Sequence, residues 1–115
     1  MRGRRSIGAG VFLALMFGGA ALALPQDGVT ARGTVHVFQF QPSALEVRAH
    51  TRVTWTNQDD ITHTVTSGAP GSPDGRFDVR LAGQGASGSA TFSDPGVYRY
   101  FCTRQQSMRG EVVVR

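Results

Sequence analysis

Strict alternation of apolar and polar residues is the feature that most constrains this chain. Leu45 and Val47 alternate with Glu46 and Arg48, and Val53 and Trp55 alternate with Arg52, Thr54 and Thr56. Val112 and Val114 alternate with Glu111, Val113 and Arg115. A period of two puts one face of a strand toward a core and the other toward water. Residues 97–102 form another clear strand, and 34–40, 63–66, 77–81 and 87–92 are weaker candidates. No segment after residue 25 keeps a helical period for three turns. Pro70-Gly71, Pro73-Asp74-Gly75, the glycine-rich 83–88 run and Asp94-Pro95-Gly96 read as turns. The pattern predicts an all-β Greek-key sandwich or barrel of seven to eight strands.

The first 23 residues read as an address rather than as part of that fold. Arg2, Arg4 and Arg5 precede an apolar stretch over 7–22 that ends in Ala21-Leu22-Ala23, a signal-peptidase pattern. The expected organisation is a signal peptide over 1–23, a short linker over 24–33 and one domain over 34–115. The rival reading, an uncleaved anchor over 7–24, is short for a span and is interrupted by Gly8, Gly10, Gly18 and Gly19. Cleavage leaves no membrane span. Either way the domain is expected outside the cytoplasm, periplasmic or secreted.

Charge excludes one class of partner. All 12 basic residues are arginine, and three lie in the first five positions. The nine that remain face eight acids and form no stripe, which argues against nucleic-acid binding. The single cysteine, Cys102, excludes an intramolecular disulfide and a four-cysteine metal centre.

The chemistry concentrates at the C-terminal end. In Gly96-Val97-Tyr98-Arg99-Tyr100-Phe101-Cys102, alternation places Tyr98, Tyr100 and Cys102 on one face, and the charged Arg99 on the other makes the cysteine face the inward one. A loop follows, with Met108 six residues after the cysteine. His63 opens a strand about forty residues upstream. Singly, each is ordinary: a buried thiol, a core methionine, a strand-end histidine. Together, thiolate, thioether and imidazole suit copper. A lone thiol in an exported protein is also exposed to oxidation, which metal ligation prevents.

Two stretches then resemble a known family. Val53-Thr54-Trp55-Thr56-Asn57, with Asp59-Asp60-Ile61-Thr62-His63-Thr64-Val65, is similar to the first ligand region of small blue-copper proteins, the cupredoxins. Phe92-x-x-Pro95-Gly96-x-Tyr98-x-Tyr100-x-Cys102, then Met108-x-Gly110-x-Val112-x-Val114, is similar to the second. Phe40-x-Pro42 and Leu45-x-Val47 match the family's first strands. The likeness covers nearly all of the mature chain. It is nearest to the plastocyanin/amicyanin-like branch, with its short Cys-x-x-His-x-x-Met loop. It implies one type 1 copper held by His63, Cys102 and Met108, and one-electron transfer with a partner protein. A monomer is expected, and the lack of a Ser-His-Asp set, of paired acids and of a His-x-His pair argues against an enzyme.

One position departs from the family pattern. Three residues after Cys102 and three before Met108 stands Gln105, where the family has a second histidine. An amide is a poorer donor to copper than imidazole, so weaker Cu(II) binding and a shifted potential are expected. Neither remaining histidine is placed to compensate. His50 falls in the 49–51 turn, roughly 15–20 Å from the site at about 3.3 Å per strand residue. His36 is expected in mid-strand. Three functions stay open: an electron carrier with an altered site, a Cu(I) chaperone or buffer, and a metal-free interaction module. Gly83-Gln84-Gly85-Ala86-Ser87-Gly88 spells a dinucleotide fingerprint but leads into a strand, not a helix, and is read as a hairpin loop. Tyr98 is expected as a corner tyrosine.

Overall fold

The structure, a computed structural model, describes residues 30–115. The expected signal peptide and most of the expected linker lie outside the described residues. Nine strands follow one another: β1 (Thr30–Val35), β2 (Phe40–Gln41), β3 (Ala44–Val47), β4 (Thr51–Asn57), β5 (His63–Ala69), β6 (Ser72–Leu81), β7 (Ser87–Phe92), β8 (Gly96–Phe101) and β9 (Arg109–Val114). They form a four-stranded sheet in the order β2-β1-β4-β7 and a five-stranded sheet in the order β3-β9-β8-β5-β6. Both sheets are mixed, because β1 runs parallel to β4 and β3 parallel to β9.

The alternating residues face one another across the sandwich. Val35, Phe40, Val53, Trp55 and Phe92 of the first sheet pack against Val47, Val65, Leu81, Tyr100, Val112 and Val114 of the second. Trp55 anchors this layer, set edge-on to Tyr100 and Phe92 and stacked on Phe77. The Tyr98 hydroxyl donates to the Asp94 carbonyl at 2.7 Å, the expected corner contact. The glycine-rich run leads into a strand, as read, but it is not a hairpin loop: β6 and β7 lie in different sheets, and the run carries the chain from one sheet to the other.

Three boundaries differ from expectation. The stretch from Thr30 to Gly33, expected as linker, is the start of β1 and pairs with Arg52 to Trp55. Its few apolar residues hid it, and Gly33 contributes by leaving room for the Trp55 ring, which a Cβ would meet at 2.8 Å. The candidate strand over 34–40 is two strands, β1 and β2, joined by a two-residue turn at Val37-Phe38. Pro73-Asp74-Gly75, expected as a turn, lies inside β6. There the register shifts: Thr66 pairs with Asp78 but Gly68 with Pro73. The buried Ser67 hydroxyl fills the gap, accepting the Arg76 and Phe77 N–H groups at 2.9 Å each. A side chain thus satisfies the backbone groups that the bulge leaves without ladder partners.

Candidate metal centre

Two strands of the second sheet deliver the chemistry to one end of the sandwich. His63 is the first residue of β5, and Cys102 follows the last residue of β8. Both side chains are fully buried. His63 Nδ1 lies 3.6 Å from Cys102 Sγ. The Thr64 N–H donates to the same sulfur at 3.4 Å. Alternation had placed Cys102 inward with Tyr100, and both are buried in the core cluster.

The loop after Cys102 is closed by its own backbone. The Cys102 N–H donates to the Met108 carbonyl at 3.1 Å, the Met108 N–H to the Gln105 carbonyl at 2.9 Å, and the Gln105 N–H to the Cys102 carbonyl at 3.3 Å. These bonds bring position 108 back beside position 102. Met108 is buried in the same core cluster as Cys102, while Gln105 is exposed on the loop. The structure therefore joins His63 and Cys102 directly, holds Met108 beside them through the backbone, and leaves Gln105 on the surface.

Asp59, four residues before His63, is the residue that sequence reasoning passed over. Its Oδ2 accepts the His63 Nε2–H at 2.9 Å, since a carboxylate can only accept. The two oxygens also accept the Val37 N–H at 2.8 Å and the Phe38 N–H at 3.0 Å. Burial raises the Asp59 carboxyl, but the Phe38 and Val37 N–H groups and His63 outweigh it, so its pKa sits below the ordinary value. Asn57, fully buried, braces the approach to His63. Its Oδ1 accepts the Asp59 N–H at 2.9 Å, and its Nδ2 donates to the Ile61 and Leu81 carbonyls at 2.7 and 3.2 Å. The i, i+4 spacing of Asp59 and His63 was a visible signal. That the loop between them folds back was not.

The remaining histidines divide. His50 is exposed in the turn before β4, where its N–H bonds the Phe92 carbonyl, and β4 separates it from His63. His36 is not in mid-strand. It follows β1, is half exposed, and its Nδ1 lies 3.9 Å from Asp59 Oδ1. The early end of β1 brings it to the His63 end of the molecule.

A two-sheet sandwich with a buried histidine–cysteine pair at one end, closed by a methionine-bearing loop, defines a cupredoxin-type scaffold. The chain belongs to the plastocyanin/azurin family of copper binding proteins, whose family model matches residues 28–115. It is 27% identical to amicyanin-alpha of Methylorubrum extorquens over 116 aligned positions, covering 88% of this chain and 98% of the relative. It is 37% identical to halocyanin of Natronomonas pharaonis, covering 67% of this chain and 48% of the relative. Among solved structures, a purple cupredoxin from Nitrosopumilus maritimus superposes with a TM-score of 0.68 at 26% identity, covering 74% of this chain and 99% of that one. The family is one of small copper-binding electron carriers, and its cofactor is a single copper ion.

Proposed function

We propose that this protein is a one-electron carrier with an altered type 1 copper site, exported from the cytoplasm and exchanging electrons with a partner protein. The observation that carries the reading is the 3.6 Å approach of two fully buried donors, His63 Nδ1 and Cys102 Sγ, from different strands. Bonds of about 2.0 Å to nitrogen and about 2.3 Å to sulfur, the lengths for a comparable ion, span such a gap. The donor set fits copper: a borderline imidazole, a soft thiolate and a soft thioether from Met108. Copper supplies a one-electron couple that no side chain here has alone.

The chain's own residues do the rest. Asp59 holds the proton on His63 Nε2 and leaves the Nδ1 lone pair free. The Thr64 N–H offsets charge on the thiolate sulfur. The buried setting of His63, Cys102 and Met108 excludes water and limits reorganisation between charge states. Gln105, exposed where an imidazole is expected, leaves that side of the site without a strong donor. This is also the observation that favours the second reading, a Cu(I) chaperone or buffer, because Cu(I) accepts fewer ligands and prefers sulfur.

The test is the spectrum of the copper-loaded protein. An intense thiolate-to-Cu(II) absorption is expected in the wild type and its loss in Cys102→Ser, with the β fold retained by circular dichroism. Colourless Cu(I) uptake would favour the buffer, and no copper uptake would leave a metal-free interaction module. Export rests on residues 1–23, outside the described residues. Mass spectrometry of the mature protein is expected to find Leu24 first, and an intact Met1 peptide would overturn cleavage. Among the described residues no helix is long and apolar enough to cross a membrane.

A further inference from the structure

The turn between β1 and β2 is built from the wrong residues for its shape. Val37 and Phe38 both have positive φ, 52° and 57°. His36 and Gln39 exchange both backbone hydrogen bonds across them, at 3.0 and 3.2 Å. This is a two-residue hairpin turn that normally takes Asn-Gly, because both central residues are left-handed. A β-branched valine there is disfavoured by roughly 1–2 kcal/mol. Both side chains remain substantially exposed, so burial does not offset this cost.

Asp59 supplies the compensation. Its carboxylate accepts the N–H groups of both strained residues, and the same carboxylate takes the His63 Nε2–H. Charge-assisted bonds of this kind are about twice as strong as neutral ones. The turn in turn sets the Phe38 ring edge-on to the His63 ring, with centroids 5.7 Å apart. One carboxylate therefore fixes the imidazole from its far nitrogen and from its edge.

We propose that Asp59 is a positioning residue for the copper site: it holds His63 in the Nε2–H tautomer, strengthens Nδ1 as a donor, and locks the Val37-Phe38 turn against the ring. This rests on the reading that His63 and Cys102 hold copper. An anionic acceptor on the remote nitrogen raises the basicity of the ligating one and fixes the ring's orientation. The stronger donor favours Cu(II) over Cu(I), so Asp59 lowers the reduction potential. It partly offsets the donor missing at Gln105.

Asp59→Asn tests this with two readouts. The first is the His63 tautomer in the metal-free protein, read by long-range proton–nitrogen correlations of the ring. Wild type is expected as Nε2–H, and the variant as a mixture or as Nδ1–H. The second is the reduction potential after copper loading. Cu(II) affinity is expected to fall about 10- to 100-fold relative to Cu(I). The potential rises by about 59 mV for each tenfold. Because the strained turn could fail without Asp59, the same change is also made in a Val37→Asn/Phe38→Gly background, whose turn needs no carboxylate. Both shifts are expected there too, measured against that background. If Asp59→Asn leaves the tautomer at Nε2–H and the potential unchanged while only lowering stability, Asp59 anchors the turn and nothing more, and the proposal fails. If wild type takes up no copper, the electron-carrier reading fails, while the tautomer alone still decides whether Asp59 holds His63.

Discussion

In the proposed site, Gln105 is the residue whose substitution tests the departure from the family pattern most directly. The backbone around it is closed on itself, with position 108 returned to position 102 by three hydrogen bonds. An imidazole at 105 therefore starts from a loop that needs no refolding. Gln105→His is expected to raise Cu(II) affinity, because imidazole is a better donor to copper than an amide, and to make an ordinary blue spectrum appear or intensify. Coupling to exchangeable solvent in magnetic resonance of the copper form should fall. A wild type that is already intensely blue and unchanged by Gln105→His would show that position 105 does not bind metal. At this scale the sequence was most informative for His63 and Cys102, because strand alternation and spacing report which side chains point inward. For Asp59 it offered only the i, i+4 spacing to His63, because the carboxylate's other two partners, backbone N–H groups more than twenty residues earlier, leave no local pattern.

Elements were legible where one face is buried and the other wet. β4 and β9 show this alternation, as does β8 until Phe101, which is buried directly after Tyr100, and the limits of all three in the structure follow the pattern closely. β1 and β6 do not. β1 opens on exposed Thr30 and half-buried Ala31, and most of β6 is exposed, so periodicity had little to report. Pro73 and Gly75 reinforced the error, since both residues mark turns as well as bulges. One glycine in β9 carries a tighter requirement. Gly110 pairs with Tyr100 in the β8–β9 ladder, and a Cβ there would lie 2.6–2.7 Å from three atoms of the Tyr100 ring end. That ring cannot retreat. It is fully buried, edge-on to Phe40 and Trp55, and its hydroxyl accepts the Trp55 Nε1–H at 3.4 Å. Gly110→Ala is expected to cost about 1–3 kcal/mol of stability by overpacking, measured by denaturant unfolding. A smaller loss would mean that the ladder, not the ring, gives way.

At the scale of the whole molecule, the proposed metal site is a clamp between distant parts of the chain. His63 and Cys102 are 39 residues apart in sequence, and each sits at the end of a different strand of one sheet. In the unfolded chain nothing holds them together, so copper held by both donors of this pair favours the folded state. Mass action then stabilises the fold by about 2.7 kcal/mol when free metal is a hundredfold above its dissociation constant. For a domain of this size each kcal/mol moves the melting temperature by about 4–8 °C, so a rise on the order of 10–20 °C is expected on loading. Cys102→Ser should abolish the increment, while the metal-free melting temperatures of variant and wild type stay close. The oxidation state of the added metal separates the two leading functions. An electron carrier must hold copper through both states, so Cu(I) under reducing conditions and Cu(II) in air should each raise the transition. A buffer for Cu(I) needs only the first. Stabilisation by Cu(I) with none by Cu(II) would therefore favour the Cu(I) buffer over the electron carrier. No stabilisation by either would mean that the His63–Cys102 pair packs the core without holding metal.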